Sequence, residues 1–419
     1  MDHFAYRDGA LHAEDVPLAE IAAAVGTPVY VYSRATLTRH ARVFREALGG
    51  VPRKHLAFAV KSNPNLAVLK LLASEGYGAD VVSAGEMDRA LAGGVPASEI
   101  VFSGVGKTAR EMADALTKGV GQFNLESEEE GLELGAIGAA MGLRAVATLR
   151  VNPDVDAGTH AKISTGKAEN KFGVPYDRAA AIYGRLASLE GLEMRGLAVH
   201  IGSQITDLAP SRAAFLKMGG LLRDLRGQGC TVTHVDLGGG LGVPYRPGEV
   251  LPGPAEYGAM VAEVTRDWDA VIQFEPGRVI TGNSGVLVTE VIRVKPGAVH
   301  PFVVVDAAMN DLARPALYDA WHDFVAVAPS GERMTANIVG PICESSDTFA
   351  MAREIDAVRA GDLAAFRTAG AYGATMANTY NSRALVPEVM VDGARWALVA
   401  ERIEPATILA AERVPEWLA

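Results

Sequence analysis

The sequence predicts an α/β chain in which a (β/α)8 TIM-like barrel is followed by a mainly antiparallel β-sheet domain. Three observations predict it. Eight short apolar runs recur through the first two thirds of the chain, most of them are separated by stretches of helical periodicity, and after Arg278 the helical stretches thin out while alternating, β-branched segments take over.

The eight runs are Leu56–Val60, Ala79–Val82, Ile100–Phe102, Gln122–Leu125, Ala145–Val151, Leu197–His200, His234–Leu237 and Val271–Phe274. Helical stretches such as Asn65–Gly76 and Ser211–Arg226 separate them, and strand followed by helix eight times closes a parallel barrel. Barrels of this kind place their chemistry on loops at the carboxyl ends of the strands, because those loops converge over one mouth. The polar residues that end the runs are therefore expected to meet: Lys61 after the first, His200 and Ser203 after the sixth, Gly238-Gly239-Gly240 after the seventh, and Glu275-Pro276-Gly277-Arg278 after the eighth.

Beyond Arg278, the segments Gly285–Lys295, Phe302–Asp306, Phe324–Ala328, Thr335–Val339, Val386–Val391 and Trp396–Val399 alternate in polarity and are broken by Gly, Pro, Asn and Asp. They predict the sheet domain. Near the start, Phe4–Tyr6 and Val29–Tyr32 also read as strands; the first is expected to join that later sheet and the second to lead into the barrel. The expected boundaries are 28–278 for the barrel and 1–27 plus 279–419 for the sheet domain.

With 419 residues and 49% hydrophobic content, the chain is long enough for a barrel and one further domain. It has no run of about 18 apolar residues, and Met1-Asp2-His3 lacks the basic start of a signal peptide, so a soluble cytoplasmic protein is expected. Cys230 and Cys343 are too few for a disulfide framework and show no zinc-ligand spacing; no metal is expected. A net charge of −11 argues against nucleic acid as a partner and for a small-molecule substrate.

Lys61 emerges from the apolar run Leu56-Ala57-Phe58-Ala59-Val60 with Ser62, Asn63 and Pro64 beside it. A lone lysine there most often only snorkels to water. Desolvated, it can instead form an imine with an aldehyde. Gly238-Gly239-Gly240-Leu241-Gly242 follows a strand and offers backbone N–H groups to an anion, although a plain tight turn is as good a reading in isolation. It is not a dinucleotide fingerprint, which would need glycine at Val243, and Gly106-Lys107-Thr108 lacks the first glycine of a P-loop at Val101. Glu275 ends an apolar strand, where it serves either a structural ion pair or a pyridine nitrogen that must stay protonated. His200 reads as a core histidine or as a ring that stacks on a flat cofactor. An imine lysine, an anion cradle, a pyridinium carboxylate and a stacking imidazole together describe pyridoxal 5′-phosphate.

With these residues in view, the chain resembles the fold-type III pyridoxal-phosphate decarboxylases, whose barrel and sheet are alanine racemase-like. The resemblance runs nearly end to end through Phe58-Ala59-Val60-Lys61-Ser62-Asn63, Gly78-Ala79-Asp80-Val81-Val82-Ser83-Ala84-Gly85-Glu86, Asn170-Lys171-Phe172-Gly173, His200-Ile201-Gly202-Ser203-Gln204, the glycine triplet, Glu275-Pro276-Gly277-Arg278, Gly340-Pro341-Ile342-Cys343-Glu344-Ser345, Ala371-Tyr372-Gly373 and Asn381-Ser382-Arg383. It implies that Lys61 carries the cofactor, His200 stacks on its ring, Glu275 faces the pyridine nitrogen, and Ser203 and Gly240 hold the phosphate. It further implies cofactor contacts from Asp80, Gly239, Gly277, Arg278 and Tyr372. Cys343 is implied as the proton donor, on a loop that enters the neighbouring subunit's site, so a homodimer with composite active sites is expected.

Within the family the resemblance is strongest to members that decarboxylate meso-2,6-diaminopimelate to L-lysine, the last step of lysine biosynthesis by that route. A substrate with a distal carboxylate calls for a bidentate guanidinium. Arg314 and Tyr318, four residues apart, resemble that clamp together with Arg278, with Glu344 left for the distal ammonium and Tyr372 as a further substrate contact. The alternatives are a decarboxylase of this fold acting on ornithine, carboxynorspermidine or a D-amino acid, an amino-acid racemase, and a non-catalytic pyridoxal-phosphate carrier.

Overall fold

A computed structural model describes residues 2–158, 165–166 and 169–418; Met1 and Ala419, the outer limits of the expected sheet-domain segments, lie outside them. The chain forms two compact units, 38–244 with 250–280, and 1–37 with 245–249 and 281–419.

Among the described residues of the first unit, eight parallel strands form a closed ring: Lys54–Ala59, Gly78–Val81, Ile100–Phe102, Gln122–Leu125, Ala145–Asn152, Leu192–Ala198, His234–Asp236 and Val271–Phe274. Each pairs with the next in chain order, and the last pairs with the first through Ile272–Lys54, Gln273–His55 and Phe274–Leu56. The eight predicted runs are these strands. Several ends differ from the prediction, most at the first and sixth strands. The first strand stops at Ala59, where Val60–Ser62 tighten into a 3-10 turn, and the sixth begins at Leu192 and stops at Ala198, two residues before His200.

Helices return the chain between strands, and several begin with a side-chain cap just past the mouth. Asn65, Ser83, Thr108 and Ser127 each accept a hydrogen bond from a backbone N–H of the following first turn. Such caps satisfy helix-end donors that would otherwise be orphaned and are worth about 1 kcal/mol each. They also fix where each strand's last residues point.

The second unit is built on a nine-stranded sheet, counted over the described residues. Its central strand, Gly285–Lys295, pairs antiparallel with Val29–Ser33, Phe302–Val305 and Leu363–Phe366. Phe302–Val305 and Val29–Ser33 also pair in parallel with Arg333–Val339 and Glu388–Asp392. Alternation divides the core between the two faces. Tyr30, Tyr32 and Leu287 pack on one side, and Val29, Val31, Val286 and Val288 on the other.

Two expectations are corrected in this unit, and two strands are added. Val29–Ser33 does not lead into the barrel; buried on both faces, it is an interior strand of the sheet, and an all-apolar run reads alike in either setting. Phe4–Arg7 does not join the sheet either. It pairs with Ala10–Ala13, which pairs with Val16–Pro17, because Asp8 and Gly9 both take positive φ, +50° and +79°, and close a tight two-residue hairpin. Finally, Thr348–Asp356 and Leu363–Phe366 are strands that the sequence did not single out. No helix among the described residues is long and apolar enough to cross a membrane.

Candidate active site

Lys61 stands one turn beyond the first barrel strand, held there because Ser62 Oγ donates to the carbonyl of Ala59 at 2.8 Å. Its side chain is 40% exposed, and Nζ donates to Asp80 Oδ2 at 2.6 Å. Register explains the meeting: Asp80 is paired with Ala59 on the adjacent strand and points into the ring, fully buried. The other oxygen, Oδ1, is buried with no hydrogen-bond partner among the described residues. The turn after the eighth strand presses against the same place. A Cβ on Gly277 would lie 3.1 Å from the side chains of Ala59 and Ser62, so any other residue there would have to push them back by a few tenths of an ångström.

Below Lys61 the ring is filled by polar side chains rather than apolar ones. Asn124 Nδ2 lies 3.0 Å from Asp236 Oδ2, 3.2 Å from Glu275 Oε1 and 3.1 Å from Ser103 Oγ. Asn124 Oδ1 accepts from Thr148 at 2.5 Å and Gln122 at 2.8 Å, while Gln273 donates to Asp236 at 2.8 Å. Asp236 also accepts from the N–H of Gly238 at 2.8 Å, which ties this layer to the glycine loop. Burial, then the negative charges of Asp236 and Asp80, push the Glu275 carboxyl well above the ordinary carboxylate range, and burial raises Asp236 as well. Two adjacent buried carboxylates cannot both ionise, so the pair keeps a proton.

His200 contacts the glycine loop: the N–H of Gly239 points at its Nδ1 at 3.3 Å. An accepting Nδ1 leaves the proton on Nε2. Burial, then the positive charges of Arg150 and Lys61, push the imidazole down to about 3, so it is neutral at physiological pH. The loop itself packs by backbone, since a Cβ on Gly239 would fall 2.1 Å from the carbonyl oxygen of Glu275 and one on Gly240 2.2 Å from that of Gly202. Beside it, buried Arg278 donates from Nη2 to Ser203 Oγ at 3.1 Å.

A cavity of about 210 Å³ opens here, lined among others by Lys61, Ser103, Asn124, Arg150, His200 and Glu275. A larger groove of about 760 Å³, with Gly50, Arg53, Glu263 and Asp269 on its walls, lies at the amino ends of the first and last strands. That face of such barrels mainly provides stability. The chemistry of the mouth fits pyridoxal phosphate: an amine for the aldehyde, a buried carboxylate oxygen lacking a donor, a proton-retaining acid pair for the pyridine nitrogen, and a glycine loop flanked by Ser203 and Arg278 for the phosphate.

The structure therefore brings Lys61, Asp80, His200, Ser203, Gly239, Gly240, Glu275, Gly277 and Arg278 together around one mouth. Cys343, Glu344, Arg314, Tyr318 and Tyr372 belong to the second unit. Arg314 and Tyr318 bound one short helix, with Arg314 buried. Cys343 and Glu344 are exposed on the loop between Arg333–Val339 and Thr348–Asp356, where Ser346 Oγ donates to Glu344 at 2.5 Å and holds its carboxyl below the usual range. Tyr372 takes φ +56°, a left-handed conformation that costs a bulky residue of order 1–3 kcal/mol.

Sequence reasoning missed Asn124, Arg150 and Asp236. Arg150 donates to Glu126 Oε1 at 2.7 Å, and its guanidinium lies 4.8 Å from the centre of the Phe172 ring. The available signal was the spacing Gln122-Phe123-Asn124, two polar residues on the same face of a strand whose other face is apolar.

Residues 34–282, more than half of the chain, match the family described as pyridoxal-dependent decarboxylase, pyridoxal binding domain. The chain is 51% identical to diaminopimelate decarboxylase from Zymomonas mobilis, covering 99% of both chains, and 48% identical to that of Vibrio cholerae, again over 99% of each. The crystal structure of diaminopimelate decarboxylase from M. jannaschii in complex with L-lysine superposes with a TM-score of 0.95 at 33% identity, over 100% of this chain and 99% of the other. With a lysine, a proton-retaining acid pair and a glycine loop at the mouth of such a barrel, and likeness along its full length, the chain belongs to the pyridoxal-dependent decarboxylases.

Proposed function

We infer that this protein decarboxylates meso-2,6-diaminopimelate to L-lysine and carbon dioxide with pyridoxal 5′-phosphate as cofactor. The observation that carries the reading is Lys61 beside Asp80 above the Asp236–Glu275 pair, in a chain alike from end to end to diaminopimelate decarboxylases. When bound, the cofactor supplies an aldehyde and an electron-withdrawing pyridinium ring.

The chain's residues then divide the work. Lys61 Nζ would hold the cofactor through its aldehyde, and Asp80 would orient that amine. Glu275 would keep the ring nitrogen protonated, and His200, neutral, would face the ring without adding charge. Ser203, Gly239, Gly240, Gly277, Arg278 and Tyr372 hold the phosphate end. Arg314 and Tyr318, with Arg278 and Tyr372, take the distal carboxylate, and Glu344 the distal ammonium. As carbon dioxide leaves the D-configured carbon, the Cys343 thiol delivers a proton to that carbon. A second copy of the chain supplies the loop bearing Cys343 and Glu344, so the working form is a homodimer with composite sites. It works in the cytoplasm, where Cys230 and Cys343 stay reduced.

The test is release of carbon dioxide by the cofactor-loaded protein, with meso-diaminopimelate and L-ornithine side by side and the products identified. Lysine from the first alone is expected. Turnover of ornithine instead would overturn the assignment of Arg314, and no turnover of either would overturn the reaction.

A further inference from the structure

Resting on the reading just given, we propose that His322 is a positioning residue that sets the Arg314 guanidinium for the distal carboxylate of the substrate. The two side chains meet inside the sheet unit, 2% and 6% exposed. His322 Nδ1 lies 2.9 Å from the backbone carbonyl of Arg367 and Nε2 lies 2.8 Å from Arg314 Nη1. A carbonyl only accepts, so Nδ1 bears the proton; Nε2 keeps its lone pair and accepts from the guanidinium. The imidazole is thereby fixed as one neutral tautomer.

The surroundings hold both partners still. The Arg314 guanidinium lies 4.5 Å from the centre of the Tyr245 ring, and that ring meets His322 edge-on at 5.4 Å and 84°. The backbone of His322 is pinned from another side, because Arg353 Nη1 donates to its carbonyl at 2.5 Å while the Arg353 guanidinium lies over the Trp321 ring at 3.5 Å. His322 and Tyr245 orient Arg314 without cancelling its charge. A carboxylate in the place of His322 would orient it equally well but would compete with the ligand for the same N–H groups. An imidazole acceptor adds no negative charge to compete with an arriving carboxylate and keeps the planar fork aligned, which reduces the side-chain entropy lost on binding.

Asparagine and glutamine separate the two bonds of His322. Asn reproduces the donor toward Arg367 and loses the acceptor toward Arg314; Gln reaches Arg314 and gives up the Arg367 bond. L-lysine retains the carboxylate that is distal in the substrate, and cadaverine lacks it, so their binding to the loaded enzyme isolates the clamp without turnover. For His322→Asn, KM for meso-diaminopimelate and the L-lysine dissociation constant are expected to rise about tenfold or more, with kcat within about threefold and cadaverine binding unchanged. His322→Gln should stay near the parent values. In an Arg314→Ala background, His322→Asn should add nothing. Equal weakening of cadaverine, an effect that multiplies with Arg314→Ala, or no effect of Asn at all would overturn the proposal. Failure of the parent enzyme to bind L-lysine or turn over meso-diaminopimelate would overturn the functional reading beneath it.

Discussion

In the barrel, Lys61, Asp80, Asn124, Asp236 and Glu275 sit on strands or within one turn of them, with Lys61 bound to Asp80 and Asn124 to both Asp236 and Glu275, whereas in the sheet unit Cys343 and Glu344 are exposed on a loop. The base of the loop is anchored by buried Asp347, which accepts from the N–H of Ile342 and of Met309, each at 2.7 Å. Precision is built where a cofactor must be gripped in one orientation. Exposure is found where, on the proposed reading, Cys343 must deliver a proton to a substrate held elsewhere. On this contrast, changes in the barrel should act on cofactor and stability together, and changes on the loop should act on rate alone.

The sharpest way to break the contrast is at Lys61. Lys61→Ala should abolish carbon dioxide release and the imine absorbance of the loaded protein together; an absorbance band that survived would remove Lys61 from the cofactor. Cys343→Ala should leave that band intact while lowering kcat by about 10²–10⁴, the range for loss of a general acid. An unimpaired Cys343→Ala enzyme would end its role as proton donor.

The smallest effect concerns pH and the protein without cofactor. Glu275 and Asp236 are raised on folding, so the folded state binds more protons than the unfolded one above the ordinary carboxylate pKa, and their contribution is lost as pH rises through the raised value. His200, pushed down to about 3, acts oppositely: its contribution is present above about 6.5, the ordinary histidine value, and is lost as pH falls. Asp236→Asn weakens only the first, because it removes Asp236 itself and its charge on Glu275 while burial and Asp80 still raise that carboxyl. The denaturant midpoint of the parent should therefore fall more between about pH 5 and about pH 8 than that of Asp236→Asn. Identical slopes would mean that the pair holds no extra proton.

The barrel was legible in the sequence because its strands are apolar and its chemistry begins where they stop: Lys61, the glycine triplet and Glu275 stand out against the runs they follow. Asn124, Asp236 and Arg150 were harder to see, since a polar residue inside a short strand looks the same whether it faces water or the centre of a ring. Val29–Ser33 was misplaced because burial on both faces erases alternation. Thr348–Asp356 escaped because Ala352, at φ +45°, interrupts its rhythm and exposed Met351 and Ala352 mix with buried Phe349 and Ala350. His322 has no local signal at all. Its partners lie at 245, 314 and 367, and only the folded sheet unit makes them neighbours.

The shared amide of Asn124 has a consequence for how such a sequence can drift. One nitrogen serves Ser103, Asp236 and Glu275, while its oxygen serves Gln122 and Thr148. Replacing Asn124 removes a hydrogen bond from each of the other five at once, so what each of them can become depends on that one amide. Neutral substitution should be slow here even at positions far from the reacting atoms. When this floor does change, it should change as a set, in concerted replacements that restore every donor and acceptor at once.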